Sequence, residues 1–311
     1  MKGLELSKRY FEEYGRPMLQ KNFADVLSKL AVGLIGSGSE CYGFDDDTST
    51  DHDFEPAFCI FIPDEDIIDR KTAFNLERAY YKLPKEFLGF KRSILNPVGG
   101  SRHGVIRISD FFEAKTGSKS GELSVNDWFS VPEYALFEAT NGEIFFDNFG
   151  LLSKLRKDIS YYPESVRLKK LAGNLLLMAQ SGQYNYGRCI SHGEKASAQM
   201  AVFDFVKSGM QTVFILNKKY MPYYKWSFKA LSNLPKLSNL YDSFEYLITT
   251  DNENAEIKKQ IIEDICAIVS NEVKEQGIVK ESDTELERLA YKVNDSIYDN
   301  SIRNLNIFYG V

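Results

Sequence analysis

The sequence predicts an α+β protein in two parts, a mixed sheet with flanking helices over residues 1–150 and an α-helical bundle over 151–311. Residues 1–150 are rich in Gly, Pro and short β-branched or aromatic runs, whereas from about Leu151 the chain carries long segments of 3.6-residue apolar periodicity. No internal repeat interrupts this pattern, and no linker is long enough to let the halves tumble freely.

In the first half, residues 4–14 and 18–30 read as helices split at Gly15-Arg16-Pro17, the second with Leu19, Phe23, Val26, Leu27 and Leu30 as its apolar stripe. Residues 31–35 read as a buried strand. A Gly/Ser/Asp-rich loop leads to a second strand over 51–62, and Pro63 with an acidic first turn opens a helix over about 64–82. The Pro97-Val-Gly-Gly100 turn leads into a third strand, 104–109. Ser124 with Asp127 marks a helix start, and Asn141-Gly142 a turn into a strand through Phe146.

In the second half, Pro163 opens a helix whose wide apolar face includes Val166, Leu168, Leu171, Leu175 and Leu176. Its partner spans about 194–216, with Met200, Phe203, Met210, Val213 and Phe214 expected to turn inward. A third helix starts near Lys225 after Pro222. Two more occupy 253–276, along Ile257, Ile261, Ile265, Val269 and Val273, and 283–305.

Composition excludes several classes of function. The 311 residues are 43% hydrophobic and 26% charged, an ordinary globular balance. With 38 Lys plus Arg against 44 Asp plus Glu, the net charge of −6 gives no broad basic field, so extended nucleic-acid binding is not expected; a local basic patch stays open. Four cysteines without a C-x-x-C pair and three histidines without ligand spacing argue against zinc and disulfide scaffolds. The N-terminus does not read as a secretory signal. The longest apolar stretch, 171–180, contains Gly173 and Asn174 and is far short of the ~20 residues that span a bilayer. Together these features read as a cytoplasmic protein in a reducing compartment.

The chemistry sits in Val32-Gly-Leu-Ile-Gly-Ser-Gly-Ser39 and in Asp51-His-Asp53. A buried strand running into small residues lets backbone amides around Gly38 and Ser39 approach an anion closely, and the Ser39 hydroxyl adds a donor. Asp51 and Asp53, at i and i+2 near a strand start, point to one face and repel unless a cation lies between them. Carboxylate oxygens without Cys or His suit Mg²⁺, with Mn²⁺ the alternative ion. His52, between them, points to the opposite face and reads as a packed or hydrogen-bonded histidine. Asp45-Asp46-Asp47 reads as a solvated loop.

This combination, Gly38-Ser39 in Gly-Ser-x3-Gly followed by Asp51-x-Asp53, resembles the signature of the nucleotidyltransferase superfamily, which includes DNA polymerase beta, aminoglycoside nucleotidyltransferases and the minimal nucleotidyltransferases of toxin systems. Weaker likeness extends over most of residues 20–235. Gly142-Glu-Ile-Phe-Phe-Asp147 with Leu151, Leu155 and Arg156 looks like the close of such a catalytic domain. Gln183-Tyr-Asn-Tyr-Gly-Arg188 and the 217–226 stretch are similar to a bacterial family of unknown function that adds a C-terminal helical domain. The resemblance implies a nucleotidyltransferase-type sheet domain with an active cleft against the bundle. Gly38 and Ser39 would bind phosphate and Asp51 and Asp53 metal, and the reaction would be transfer of NMP from an NTP, ATP first, to a hydroxyl of an unidentified small molecule, RNA or protein.

Members of that superfamily usually carry a third carboxylate on a later strand, as ligand or base. Here Arg107 occupies the first place to look. Asp110 is the nearest substitute, and Glu113 and the acidic loop Asp45-Asp46-Asp47 are more distant ones. Arg107, Arg188 and Lys225 are further candidates for nucleotide contact, and Lys169 and Lys195 are weaker ones. Tyr223-Tyr224-Lys225-Trp226 reads as interface packing, with a base-stacking shelf as the alternative. The rival functional class is a nucleotide-binding or sensing module with the same fold and no turnover.

Overall fold

In the computed structural model, which describes residues 1–46, 55–92 and 103–311, the strands are β1 (Ala31–Leu34), β2 (Cys59–Ile62), the short hairpin pair β3 (Glu86–Phe87) and β4 (Phe90–Lys91), β5 (Gly104–Arg107) and β6 (Glu143–Asp147). Four of them form a mixed sheet in the order β5-β2-β1-β6. β1 is antiparallel to both neighbours, and β2 runs parallel to β5. Every residue of β1 and β2 is buried, which is why these strands read as unbroken apolar runs.

The helices of the first unit are α1 (Gly3–Tyr10), α2 (Arg16–Asn22), α3 (Ser39–Tyr42), α4 (Arg70–Tyr81), α5 (Ile108–Thr116), α6 (Val125–Ser130), α7 (Glu133–Thr140) and α8 (Leu151–Asp158). By contacts this unit comprises Met1–Asp127 and Val131–Ser160; Trp128–Ser130 belong with Tyr161–Val311. An aromatic core of Tyr10, Phe11, Phe58 and Tyr80 anchors the first two helices to the sheet, with ring centroids of Phe11 and Phe58 5.2 Å apart and of Phe58 and Tyr80 5.1 Å apart.

Several expected boundaries move, each for a local reason. The split at Gly15-Arg16-Pro17 is instead a π-helical segment, Phe11–Gly15, that keeps one helical path from α1 into α2. The wider turn accommodates a proline without an N–H donor, and a side chain at Gly15 would overlap the Phe58 ring. The second helix ends at Asn22 and not at 30. The chain needs Phe23–Leu30, including the 3₁₀ turn Leu27–Lys29, to reverse into β1. β5 stops at Arg107, and Ile108 opens α5 instead of continuing the strand to 109. Its parallel partner β2 ends at Ile62 ahead of Pro63, which has no N–H for the ladder. α4 starts at Arg70, where the Asp69 carboxylate accepts the Thr72 N–H at 2.7 Å.

The second unit is helical: α9 (Glu164–Met178), α10 (Gly187–Ser191), α11 (Lys195–Leu216), α12 (Tyr224–Leu231), α13 (Tyr241–Thr249), α14 (Ala255–Glu275), α15 (Leu286–Asp295) and α16 (Asn300–Arg303). A π-helical stretch, Ala179–Tyr186, joins α9 to α10. Met210, Val213 and Phe214 are buried as expected, but Met200 and Phe203 are exposed. They belong to the outer side of α11, whose inner side is carried by Ala198, Val202, Phe205 and Val206. On α14 the buried row runs through Ile262, Ile265, Cys266 and Val269, and Ile257 faces out. The single helix expected over 283–305 divides into α15 and α16, where Asp299 caps the second piece. No helix among the described residues is long and apolar enough to cross a membrane.

Lys169 is a further correction. Its side chain is fully buried in the second unit, with Nζ donating to Leu305 O at 2.6 Å, Asn294 Oδ1 at 2.8 Å and Arg303 O at 3.0 Å. Three acceptors offset the desolvation of the ammonium, and burial lowers its pKa. It fastens the C-terminal segment to α9.

Candidate functional site

Buried β1 delivers its last residue into Ile35-Gly36-Ser37-Gly38, and both glycines adopt positive φ, 115° at Gly36 and 122° at Gly38. L-residues rarely take that backbone, so the sequence Gly-Ser-Gly is what permits the turn. Gly38 then precedes α3, a single turn closed by Gly43 at φ 74°. A second chain segment holds the turn. Asn141 accepts the Gly36 N–H at 2.9 Å and donates to Gly36 O at 2.7 Å, and Gly142 N–H donates to Cys41 O at 3.1 Å. Gly142 itself needs φ 65° and cannot carry a side chain, because a methyl there would overlap Leu34 O.

The clasp is itself supported. Arg156 donates to the last carbonyls of α7, from Nη2 to Thr140 at 2.6 Å and from Nε to Ala139 at 3.2 Å, and also to Asn141 O. Burial pulls its guanidinium down to about 10. Tyr42 of α3 donates to Glu138 at 2.8 Å, and Glu138 also pairs with Lys115 at 2.5 Å. Burial first and the Glu138 carboxylate second push the Tyr42 phenol well above its usual range.

Strand directions put four chain segments at one end of the sheet. β1 exits beside the start of β2, through Gly33 paired with Cys59; β5 starts there in parallel, Gly104 pairing with Cys59; β6 starts there through Leu34 paired with Glu143. The glycine turn, the residues leading into β2, His103 before β5, and Asn141 before β6 therefore share that end. Here Glu55 Oε1 and His103 Nε2 lie 2.7 Å apart with both side chains 13% exposed, an acid–base pair that sequence reading missed. The signal was available: Glu55 extends the alternation Asp51-x-Asp53-x-Glu55, and His103 stands immediately before a strand.

Asp51, His52 and Asp53 lie outside the described residues. Gly38 and Ser39 stand on the turn. Arg107 and Asp110 stand elsewhere. β5 runs away from the turn, so Arg107 lies roughly 10 Å along the strand from Gly104. Its Nη1 donates to Pro63 O at 2.7 Å and Ile68 O at 3.2 Å, tying down the loop before α4. Asp110 is exposed in the first turn of α5, past the end of β5, and Glu113 follows it on the same helix. Asp45 is not solvated: it is 3% exposed and its Oδ2 accepts the Gly3 N–H at 2.7 Å at the start of α1.

Arg188 and Lys225 belong to the second unit, where the Arg188 guanidinium covers the Tyr184 ring at 5.1 Å and the Lys225 ammonium covers Trp226 at 5.0 Å. Glu40, the second residue of α3, bends back so that its carboxylate fills the space beside the Gly38 Cα. Among the described residues no group of three His, Cys, Asp or Glu side chains is arranged to hold a metal ion.

A family described as a domain of unknown function (DUF4037) matches residues 128–227. No curated protein matches the chain. Among solved structures, the crystal structure of a nucleotidyltransferase-like protein from Exiguobacterium sibiricum is similar at 13% identity and a TM-score of 0.38, over 86% of this chain and 77% of that one. At that distance the likeness says nothing about activity.

Proposed function

We propose that this chain is a nucleotidyltransferase that moves NMP from an NTP, ATP first, to a hydroxyl of an acceptor. One observation carries the reading: the Gly36–Gly38 turn and the Glu55–His103 pair belong to the same end of one sheet, and in the sequence Asp51 and Asp53 come just before Glu55. Gly38 and Ser39 hold phosphate through backbone amides and the Ser39 hydroxyl. Asp51 and Asp53 hold Mg²⁺, whose oxygen-ligand preference fits a carboxylate pair. When bound, the ion neutralises phosphate charge. His103, oriented by Glu55, takes the proton from the acceptor hydroxyl.

A second reading has its own support. The Glu40 carboxylate stands beside the Gly38 Cα, a like charge that weakens phosphate binding at the turn and favours a nucleotide-binding or sensing module of the same fold without turnover. Incubating the purified protein with each α-labelled NTP, Mg²⁺ and a cell extract separates the two. Pyrophosphate release or a labelled acceptor, lost in Asp53→Ala, supports transfer. Nucleotide binding without either supports the module, and unchanged activity in Asp53→Ala overturns the metal assignment.

A further inference from the structure

The 37 residues from Phe205 to Tyr241 contain six lysines and no Asp or Glu, in a chain whose net charge is −6. Their centre is the connection between α11 and α12 and the first turns of α12. There Tyr224 is 74% and Tyr223 44% exposed, with ring centroids 4.4 Å apart. Lys225 and Lys229, one helical turn apart, both lie over the Trp226 ring, at 5.0 and 5.7 Å. Lys219 and Lys225 are exposed and make no ion pair among the described residues, whereas Lys236 is neutralised by Glu272 at 2.5 Å. Tyr223 at the helix N-cap supplies no side-chain acceptor and the first turn holds no acid, so the positive end of the dipole adds to the lysines.

Exposed π faces interleaved with lysine ammonium groups are the chemistry that single-stranded nucleic acid asks for: bases stack, phosphates pair with ammonium groups, and no sequence needs to be read. A bilayer surface fits less well. The exposed side chains of 217–229 are Lys and Tyr, with no exposed Leu, Ile or Phe to enter the acyl region.

We propose that this face of the second unit binds a single-stranded polynucleotide, with bases stacking on Tyr224 and Tyr223 and phosphates meeting Lys219, Lys225 and Lys229. The proposal is independent of nucleotidyl transfer and is read by binding alone. The full-length protein is titrated against fluorescent oligouridylate and oligothymidylate of about a dozen nucleotides, a matched duplex and anionic vesicles. Expected is saturable binding of the single strands, weakened by salt with a log–log slope of about −2 for three phosphate contacts. Tyr224→Ala weakens binding about tenfold, Tyr224→Phe restores it, and Lys225→Glu weakens it and flattens the salt slope, all with unchanged circular dichroism. No saturable binding at low salt, equal affinity for the duplex, preference for vesicles, or indifference to Tyr224→Ala and Lys225→Glu overturns the proposal.

Discussion

The side-chain amide of Asn141 and the backbone of Gly36 exchange two hydrogen bonds, at 2.9 and 2.7 Å, across 105 residues of sequence. That pair fixes the glycine turn to the start of β6. Asn141→Ala removes both bonds and should cost about 1–3 kcal/mol, read by urea denaturation at unchanged m-value. Asn141→Asp keeps the acceptor for the Gly36 N–H but sets a carboxylate against Gly36 O, so it should not restore stability.

The two glycines of this clasp are needed for different reasons, which a pair of alanine variants separates. At Gly36 the positive φ is the whole cost, because a methyl there meets nothing within 4 Å. At Gly142 the same kind of strain is joined by overlap with the Leu34 carbonyl. Gly142→Ala should therefore lower the melting temperature by several degrees more than Gly36→Ala. Equal shifts would mean that β6 relaxes away from β1 at little cost.

Two parts of the sheet end were legible because they are local: a buried strand into Gly-Ser-Gly and an Asn-Gly turn are each readable from a few residues. Boundaries that depended on a distant partner were not. Nothing near Ser109 reveals that β5 stops at Arg107; the reason is Pro63, 44 residues earlier, on the neighbouring strand. The position of Asp110 follows from the same cause, since a strand two residues shorter sets the acid in the first turn of α5. Likewise Lys169 reads as a surface lysine until carbonyls of residues 303 and 305 arrive to bury it.

Glu164 gives a pH test in the second unit. Its carboxylate takes two bonds from Arg167, at 2.9 and 2.5 Å, and the Arg167 guanidinium holds it below the usual carboxylate range. A carboxyl whose folded pKa lies below its unfolded value stabilises the fold fully above about pH 4.3 and ceases to do so as pH falls through the folded value. The wild-type melting temperature should thus drop more steeply below pH 4 than that of Glu164→Gln. Parallel curves would show that the exposed side of the pair is screened by solvent.

Thiol chemistry should be confined to one residue. Cys59 lies inside β2 with its thiol pushed up to about 12 by burial, Cys266 is also raised by burial, and Cys41 is buried; Cys189 on α10 is half-buried. Because the thiolate is the reactive form, Ellman's reagent at about pH 8 should modify roughly one thiol in the native protein and all of them in denaturant. Cys189→Ser should remove the fast phase.

If nucleotidyl transfer is the activity, the end of the sheet at which a residue stands should decide its kinetic effect. Asp110→Asn, past the end of β5 opposite the glycine turn, should leave kcat within about twofold, since the proposed base is His103 at the other end of the strand. His103→Gln removes the base paired with Glu55 and should lower kcat by about 10²–10⁴ while leaving NTP affinity nearly unchanged. Glu55→Gln should fall between them, because the histidine survives but loses the partner that orients it. A large loss in Asp110→Asn with a normal His103→Gln enzyme would reverse the assignment and place the chemistry at the opposite end of the strands.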